Sequence, residues 1–309
     1  GPRGEATSIS GYSERDALWF VCTQSSFGVW AGSGRTISRF TSEDLQNWSK
    51  EELVLAMPDD ESRRREDWIE YMDIRAFRAG SLWLGQLVIF HGDRTSEQHL
   101  MPNPKTGRPI QGVWRKGTTE LRLVASRDAG KTWQRVGGKQ VWIPHHHEDD
   151  GYDRLVFCGS PVRVGDELWL YYSCWDGDHL VWNLDGTTYY KDRTRIGRVA
   201  RATLRWDGYV SVDASKQTGV LLTRPFRFNG EKLTVNLRAP MGELKAELLD
   251  PAGNALPGFA LADCTSVHGD GLELPITFTG GGRLKQWSGK PVRLRFQLTD
   301  ASLYSFRFS

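Results

Sequence analysis

Carboxylates gather in three short stretches of this chain, each beside a run that reads as a β-strand. The first is Glu66-Asp67-Trp68-Ile69-Glu70-Tyr71-Met72-Asp73-Ile74-Arg75. Two carboxyl groups held near one bond can act as acid and as base or nucleophile, and Glu70 with Asp73 is one such candidate pair. Arg75 can hold a neighbouring carboxylate ionised or clamp a charged ligand group. The second stretch is Glu148-Asp149-Asp150-Gly151-Tyr152-Asp153. Asp153 abuts the following strand and is the strongest single candidate, whereas Glu148 to Asp150 read as loop charges. The third, Trp175-Asp176-Gly177-Asp178-His179, directly follows the strand-like YYSCW. Trp175 offers a ring for stacking, and Asp178 and His179 offer hydrogen bonds. His91-Gly92-Asp93-Arg94 occupies the matching place after an earlier strand, which adds His91 and Asp93 to the candidate binding groups. The plain alternative for all of these is a solvated, charged loop.

Other chemistries have less to stand on. His145-His146-His147 invites a metal reading, but adjacent side chains on an extended segment alternate in direction. At most His145 and His147 converge, and no third ligand stands at a fixed spacing. The cysteines Cys22, Cys158, Cys174 and Cys264 form no C-x-x-C pair. Cys158 lies in an apolar run, where an inert thiol is expected, and neither G-x-S-x-G nor a glycine-rich phosphate loop occurs. No metal and no cofactor are therefore expected. The oligomeric state is left open.

The chain has 309 residues, of which 39% are hydrophobic and 25% charged, enough for one large or two medium domains. A net charge of +2 gives no reason to expect nucleic acid or an anionic membrane surface as partner. No apolar run approaches the roughly 18 residues of a membrane span. The 13 tryptophans fit core packing of a β protein, with some left over as aromatic platforms.

The elements that must position the candidates are strands. Short alternating or apolar runs bounded by Gly, Asp and Asn dominate: 18–23, 29–40, 73–77, 82–90, 121–126, 133–136, 155–164, 167–174, 195–204 and 209–212. Only 41–55 has room for a turn or two of helix. The chain also repeats itself. ISRFTSEDLQNW (37–48) matches LVASRDAGKTW (123–133), and VARATLRWDGY (199–209) is a degraded third copy. Between the copies come the pairs Leu18-Trp19, Leu82-Trp83 and Leu168-Trp169, each after a polar turn. Inner apolar strand pairs thus alternate with outer pairs closed by an acidic turn and Trp, as in propeller blades. The turn Ser126 to Trp133 fits S-x-D-x-G-x-T-W, an Asp-box. There Asp128 can accept turn amides, Gly130 can take positive φ and Trp133 can pack beneath. Near residue 213 the pattern changes to clean alternation (Leu233, Val235, Leu237; Leu244, Ala246, Leu248), read as an antiparallel sandwich over 214–309.

With SRFTSEDLQNW, SRDAGKTW, DELWLYYSCW and RWDGYVSVDA, the first 213 residues resemble the five-bladed propeller glycoside hydrolases of families 32 and 43. These include invertase, levansucrase and arabinanase relatives. The stretch from TRPFRFNGEKL to the LRFQLTDASLYSF ending is similar to the sandwich appended to invertase-like propellers. The family's W-x-N-D-P-N-G, R-D-P and E-C motifs are absent, and about four blades can be counted, so a first blade is expected to lie upstream. The resemblance implies an all-β fold with a propeller over 1–213 and a C-terminal sandwich. It also implies a carbohydrate substrate and hydrolysis of an oligo- or polysaccharide by paired carboxylates in the tunnel. In that frame Asp153, Glu70 and Asp73 are the catalytic candidates. Arg75, His91, Asp93, Trp175, Asp178 and His179 are the substrate-binding ones. A non-catalytic, carbohydrate-binding propeller is the alternative.

Overall fold

A computed structural model of the chain describes residues 10–25, 35–56, 67–93, 100–102, 109–111, 117–144, 155–175 and 197–309. The protein is all-β, 61% strand and 3% helical. Among the described residues no helix is long and apolar enough to cross a membrane. The chain divides into two compact units, Gly1–Val162 with Trp169–Ala202, and Arg163–Leu168 with Thr203–Ser309.

In the first unit the strands are β1 (Gly11–Ser13), β2 (Leu18–Ser25), β3 (Thr36–Ser42), β4 (Glu52–Leu55), β5 (Asp67–Ala79), β6 (Leu82–Asp93), β7 (Leu100–Pro102), β8 (Pro109–Gln111), β9 (Gly117–Ser126), β10 (Gln134–Arg135) and β11 (Val141–Ile143). All but β7 and β8, which pair with each other, join one nine-stranded sheet in the order β10-β9-β6-β5-β2-β3-β4, with β1 on β2 and β11 on β9. The alternation of inner and outer pairs thus continues from strand to strand in one sheet, rather than breaking into separate four-stranded blades among the described residues. The long β5–β6 hairpin carries the continuity, pairing from Asp67 with Asp93 to Ala79 with Leu82. The join between β5 and β2 is narrow, one ladder pair, Thr23 with Asp73; beside it the Tyr71 N–H donates to Arg35 O, just before β3, at 3.2 Å.

One face of this sheet is the apolar core. Phe20 and Cys22 from β2, Ile37 from β3, Tyr71, Ile74 and Ala76 from β5, Trp83, Leu87 and Ile89 from β6, and Val124 from β9 pack together. In β5 the core-facing residues switch from odd to even number because Met72 is an extra residue. Tyr71 faces Ile89 and Asp73 faces Val88, so two steps on β5 oppose one on β6. The Ser126–Trp133 turn follows β9 and is closed by its own side chains. Asp128 Oδ1 accepts from Ser126 Oγ (2.8 Å) and from the Thr132 N–H (2.9 Å), Gly130 has φ 78°, and Trp133 is buried in the core. The first repeat folds alike: Asp44 Oδ1 accepts from Ser42 Oγ (3.0 Å) and from the N–H groups of Gln46 (2.8 Å) and Asn47 (2.7 Å). Leu45 there and Ala129 in the second turn both have positive φ, 62° and 54°. The helical turn allowed for over 41–55 is therefore replaced by this Asp-centred turn and by β4. The Asp44 side chain captures amides that a helix would have bonded internally.

The strands β12 (Leu155–Cys158), β13 (Val162–Val164), β14 (Glu167–Trp175) and β15 (Gly197–Arg205) follow, β14 pairing with the other three. The expected strand 155–164 is thus two strands. Cys158 and Cys174 stand on the paired strands β12 and β14, and all four cysteines are free. In the second unit β16 (Val212–Ala214), β17 (Gly219–Leu222), β18 (Phe226–Arg227), β19 (Leu233–Leu249), β20 (Val267–Ile276), β21 (Pro291–Thr299) and β22 (Ala301–Phe308) form an antiparallel sheet. Of the expected strand 209–212 only Val212 is in a strand; Gly208 N–H closes a turn on Arg205 O (3.1 Å) instead. The 17-residue β19 organises this unit: Leu233–Arg238 pair with β22 and Glu243–Leu249 with β21. Its buried positions shift from Leu233, Val235, Leu237 and Ala239 to Leu244, Ala246 and Leu248 across Gly242. A Cβ on Gly242 would stand 2.0 Å from Thr299 O, so only glycine lets the strand bend there.

Two outcomes test this account. A Cβ at Gly85 would meet Ile74 at 2.6 Å and Trp133 at 2.9 Å. Gly85→Ala is therefore expected to destabilise the first unit by about 1–3 kcal/mol in urea unfolding. Native-state amide exchange at Tyr71 should be faster than at Leu87, because the β2–β5 join has so few bonds to open. Equal protection at the two sites would remove the narrow join as a weak line.

Candidate functional site

The extra residue in β5 decides which side chains meet. In a regular strand, positions three apart point to opposite faces. With Met72 bulged out, Glu70 (opposite Phe90) and Asp73 (opposite Val88) share the face away from the core. Their partners are two residues apart, so the two backbones are one same-face step apart, roughly 6.5–7 Å. Direct cross-strand pairs add Thr23 and Ser38, Ser25 and Thr36, Arg75 and Gln86, and Thr119 opposite Phe90. The result is a buried face on which polar groups stand among Val88, Phe90, Leu121 and Leu123: Thr23, Ser25, Ser38, Gln86 and Thr119 are wholly buried, Asp73 is 2% exposed and Glu70 8%.

The two carboxylates have different partners. Glu70 is ion-paired with Arg35 at 3.5 Å. Asp73 has Arg75 Nε at 3.3 Å. Arg75 is also committed elsewhere, its Nη1 donating to Cys158 O at 3.0 Å, beside Gln86 Nε2 donating to Gly159 O at 2.8 Å. These two bonds tie the end of β12 to the polar face. Burial dominates at Asp73: desolvation pushes its pKa up to about 6 against the pull of the Arg75 charge and hydrogen bond. Asp73 Oδ1, Gln86 Oε1, Thr36 Oγ1 and Ser38 Oγ have no hydrogen-bond partner among the described residues. Four orphaned oxygens on one buried face are unusual, since such atoms normally find partners. Chemically the face offers a carboxyl that is protonated in mild acid, an ion-paired carboxylate one step away, and unpartnered acceptors on β6 and β3. No group of His, Cys, Asp and Glu that could hold a metal ion occurs among the described residues.

His91 does not join them. It stands opposite Ile69 and Thr118 on the core side of the sheet, with its Nε2 3.1 Å from Glu120, which also pairs with Arg122. Desolvation opposes the charge on Glu120, but the hydrogen bond and charge of His91, with Arg122, hold it below its ordinary range. Asp93 and Trp175 are the last residues of β6 and β14; their side chains, with Asp153, Asp178, His179 and the 145–147 histidines, lie outside the described residues.

No family model and no curated protein matches the chain. Solved structures with some similarity include exo-inulinase from Aspergillus awamori, at 12% identity and TM-score 0.29 over 100% of this chain and 97% of that one. A glycoside hydrolase family 43 arabinoxylan arabinofuranohydrolase from Bacillus subtilis has 11% identity and TM-score 0.22, covering 99% and 80%. Sucrose-6-phosphate hydrolase from Lactobacillus gasseri has 11% identity and TM-score 0.23, covering 95% and 90%. Similarity this low carries no argument about site or activity.

Thr23, Ser25, Thr36, Ser38, Gln86, Thr119 and Arg35 were not among the residues singled out from the sequence. Their signal is alternation itself: Thr-x-Ser at 23–25 and at 36–38 looks like the solvated side of a strand. Only the bonds to Cys158 and Gly159 show that this side is covered in part.

A stability measurement tests the buried acid. The folded pKa of Asp73 is raised, to about 6, so its protonation supports the fold fully below the unfolded value of about 3.9. That support is lost as pH rises through about 6. Relative to Asp73→Asn, the parent should lose about 3 kcal/mol of first-unit stability between about pH 4 and pH 7. Parallel profiles for parent and variant would show that Asp73 is not desolvated.

Proposed function

We propose that the chain processes carbohydrate, hydrolysing a glycosidic bond of an oligo- or polysaccharide with Glu70 and Asp73 as its carboxyl pair. The observation that carries this is their placement on one face, one step apart, with Asp73 pushed up to about 6 by burial. A separation of roughly 5–9.5 Å is what paired carboxyls need to flank a glycosidic bond. In the reaction Asp73 donates its proton to the glycosidic oxygen as that bond breaks. Glu70 either attacks the anomeric carbon or takes a proton from the attacking water. Arg75 positions Asp73, and Arg35 holds Glu70. Asp153 is proposed as a further carboxylate, and Asp93, Trp175, Asp178 and His179 as sugar contacts. With this reading goes a propeller-type catalytic domain over 1–213 and an appended sandwich over 214–309.

A second reading rests on one specific observation: both carboxylates are almost wholly buried, whereas a hydrolase must bring a glycan to them. A carbohydrate-binding domain without hydrolysis needs no such access. One experiment separates the two. Aryl glycosides and plant polysaccharides would be incubated with the parent, Glu70→Gln and Asp73→Asn, and released sugar measured. Hydrolysis should fall roughly 10²–10⁴-fold in each variant. Because Asp73 acts protonated, kcat/KM of the parent should decline as pH rises through about 6. Unchanged hydrolysis in both variants would remove the pair from the mechanism; sugar binding without hydrolysis in the parent would establish the second reading.

A further inference from the structure

The second unit contains a cavity of about 330 Å³ that holds neither Glu70 nor Asp73. Its floor is the polar face of β19 and β22, where Thr234 lies opposite Arg307 and Asn236 opposite Ser305. Its wall is the turn after β15: Trp206 and Asp207, with the Trp206 N–H donating to Asp166 O at 2.7 Å. The Arg163 guanidinium lies over the Trp206 indole, 4.2 Å from the ring centre, and its Nε donates to Gly165 O at 3.0 Å. Arg307 also lines the cavity, in an ion pair with Glu273 at 3.0 Å.

The decisive group is Asn236. Only 2% of it is exposed, its Nδ2 donates to Trp206 O at 2.7 Å, and its Oδ1 has no partner among the described residues. A buried amide that satisfies only one side costs stability unless something else satisfies the other. Around it the lining combines aromatic and aliphatic surface (Trp206, Leu272) with donors and acceptors of both charges. The lining holds two cations, Arg163 and Arg307, and three carboxylates, Asp166, Asp207 and Glu273, so no strong charge of either sign is concentrated there. Such a lining disfavours a strongly charged ligand. It suits a ring with apolar faces and hydroxyls that both donate and accept. The volume is at the lower end for small-molecule sites, about 300–1,000 Å³, which limits the occupant to one or two rings.

We propose that this cavity is a binding site for a neutral saccharide of one or two units, separate from the Glu70–Asp73 pair. A sugar hydroxyl would donate to Asn236 Oδ1, Asp207 and Glu273 would accept further hydroxyls, and Trp206 would flank the ring. The site does not depend on the hydrolytic reading: a chain that cleaves nothing would still have it.

Calorimetric titration of the full chain with sucrose, maltose and xylobiose tests it, with glucose 6-phosphate and glucuronate as charged comparators. At least one neutral disaccharide is expected to bind at about 1 mM or tighter, and more tightly than either charged sugar. Asp207→Asn, which keeps a side chain tolerant of positive φ, should weaken that binding about tenfold. Asn236→Leu should abolish it with circular dichroism unchanged. If Asn236→Leu fails to fold, Asp207→Asn alone decides. Asp73→Asn should leave the affinity as it is. Three outcomes overturn the proposal: no neutral disaccharide binds at about 20 mM, a charged sugar binds better, or affinity is unchanged in Asp207→Asn. Loss of binding in Asp73→Asn with retention in Asp207→Asn would place the sugar in the first unit instead. That result would count against this site and for the carboxyl pair.

Discussion

The arrangement of the first unit depends on one inserted residue. Without Met72 as a bulge, β5 would present Glu70 and Asp73 to opposite faces of the sheet. Tyr71 and Ile74 could not then both lie in the core. The insertion does two things together: it puts both Tyr71 and Ile74 on the side of the aromatic cluster, and it aligns two acids on the other. Bulges recur beside functional sites because they re-aim side chains without ending the pairing. Here the flanking ladder is intact for most of a 13-residue strand.

A buried polar face is costly, since each unpaired polar group loses hydration without recovering a bond. The opposite face offsets that cost with Phe20, Tyr71, Trp83 and Trp133 in one cluster. Arg75 and Gln86 supply the remaining restraint by holding two successive carbonyls, Cys158 and Gly159. The second unit meets the same problem differently: β19 turns its polar side toward a cavity, and the amide oxygen of Asn236 has no partner among the described residues.

Strand positions are legible in the sequence because apolar runs such as 82–90 and 167–174 end in turn residues. The turns at Asp44 and Asp128 are legible as a repeat for a related reason: Ser and Asp stand at the same two-residue offset in each, with Trp after them. What does not show is parity. Nothing in EYMDIR marks Met72 as supernumerary, so the common face of Glu70 and Asp73 is visible only through their partners on β6. The side taken by His91 is hidden too, because the run before it is buried on both faces and carries no alternation. The mistaken allowance for helix over 41–55 has a local cause: Asp44 holds its own turn closed, and propensity over a short window does not register one side chain competing with the backbone.

The narrow join between β2 and β5 bears on how a substrate could enter. The sheet is two leaves stitched at Thr23 and Asp73, and the stitch is the acid itself. Parting the leaves there would rupture little hydrogen bonding, but it would pull Phe20 of β2 off the Trp83 ring of β6, which it meets edge to face at 4.8 Å. It would also bring water, or a sugar, to Asp73. Rehydration would let that carboxyl give up its proton more readily. Opening and acid strength would then be a single coupled equilibrium: the closed sheet stores the proton and the parted one releases it.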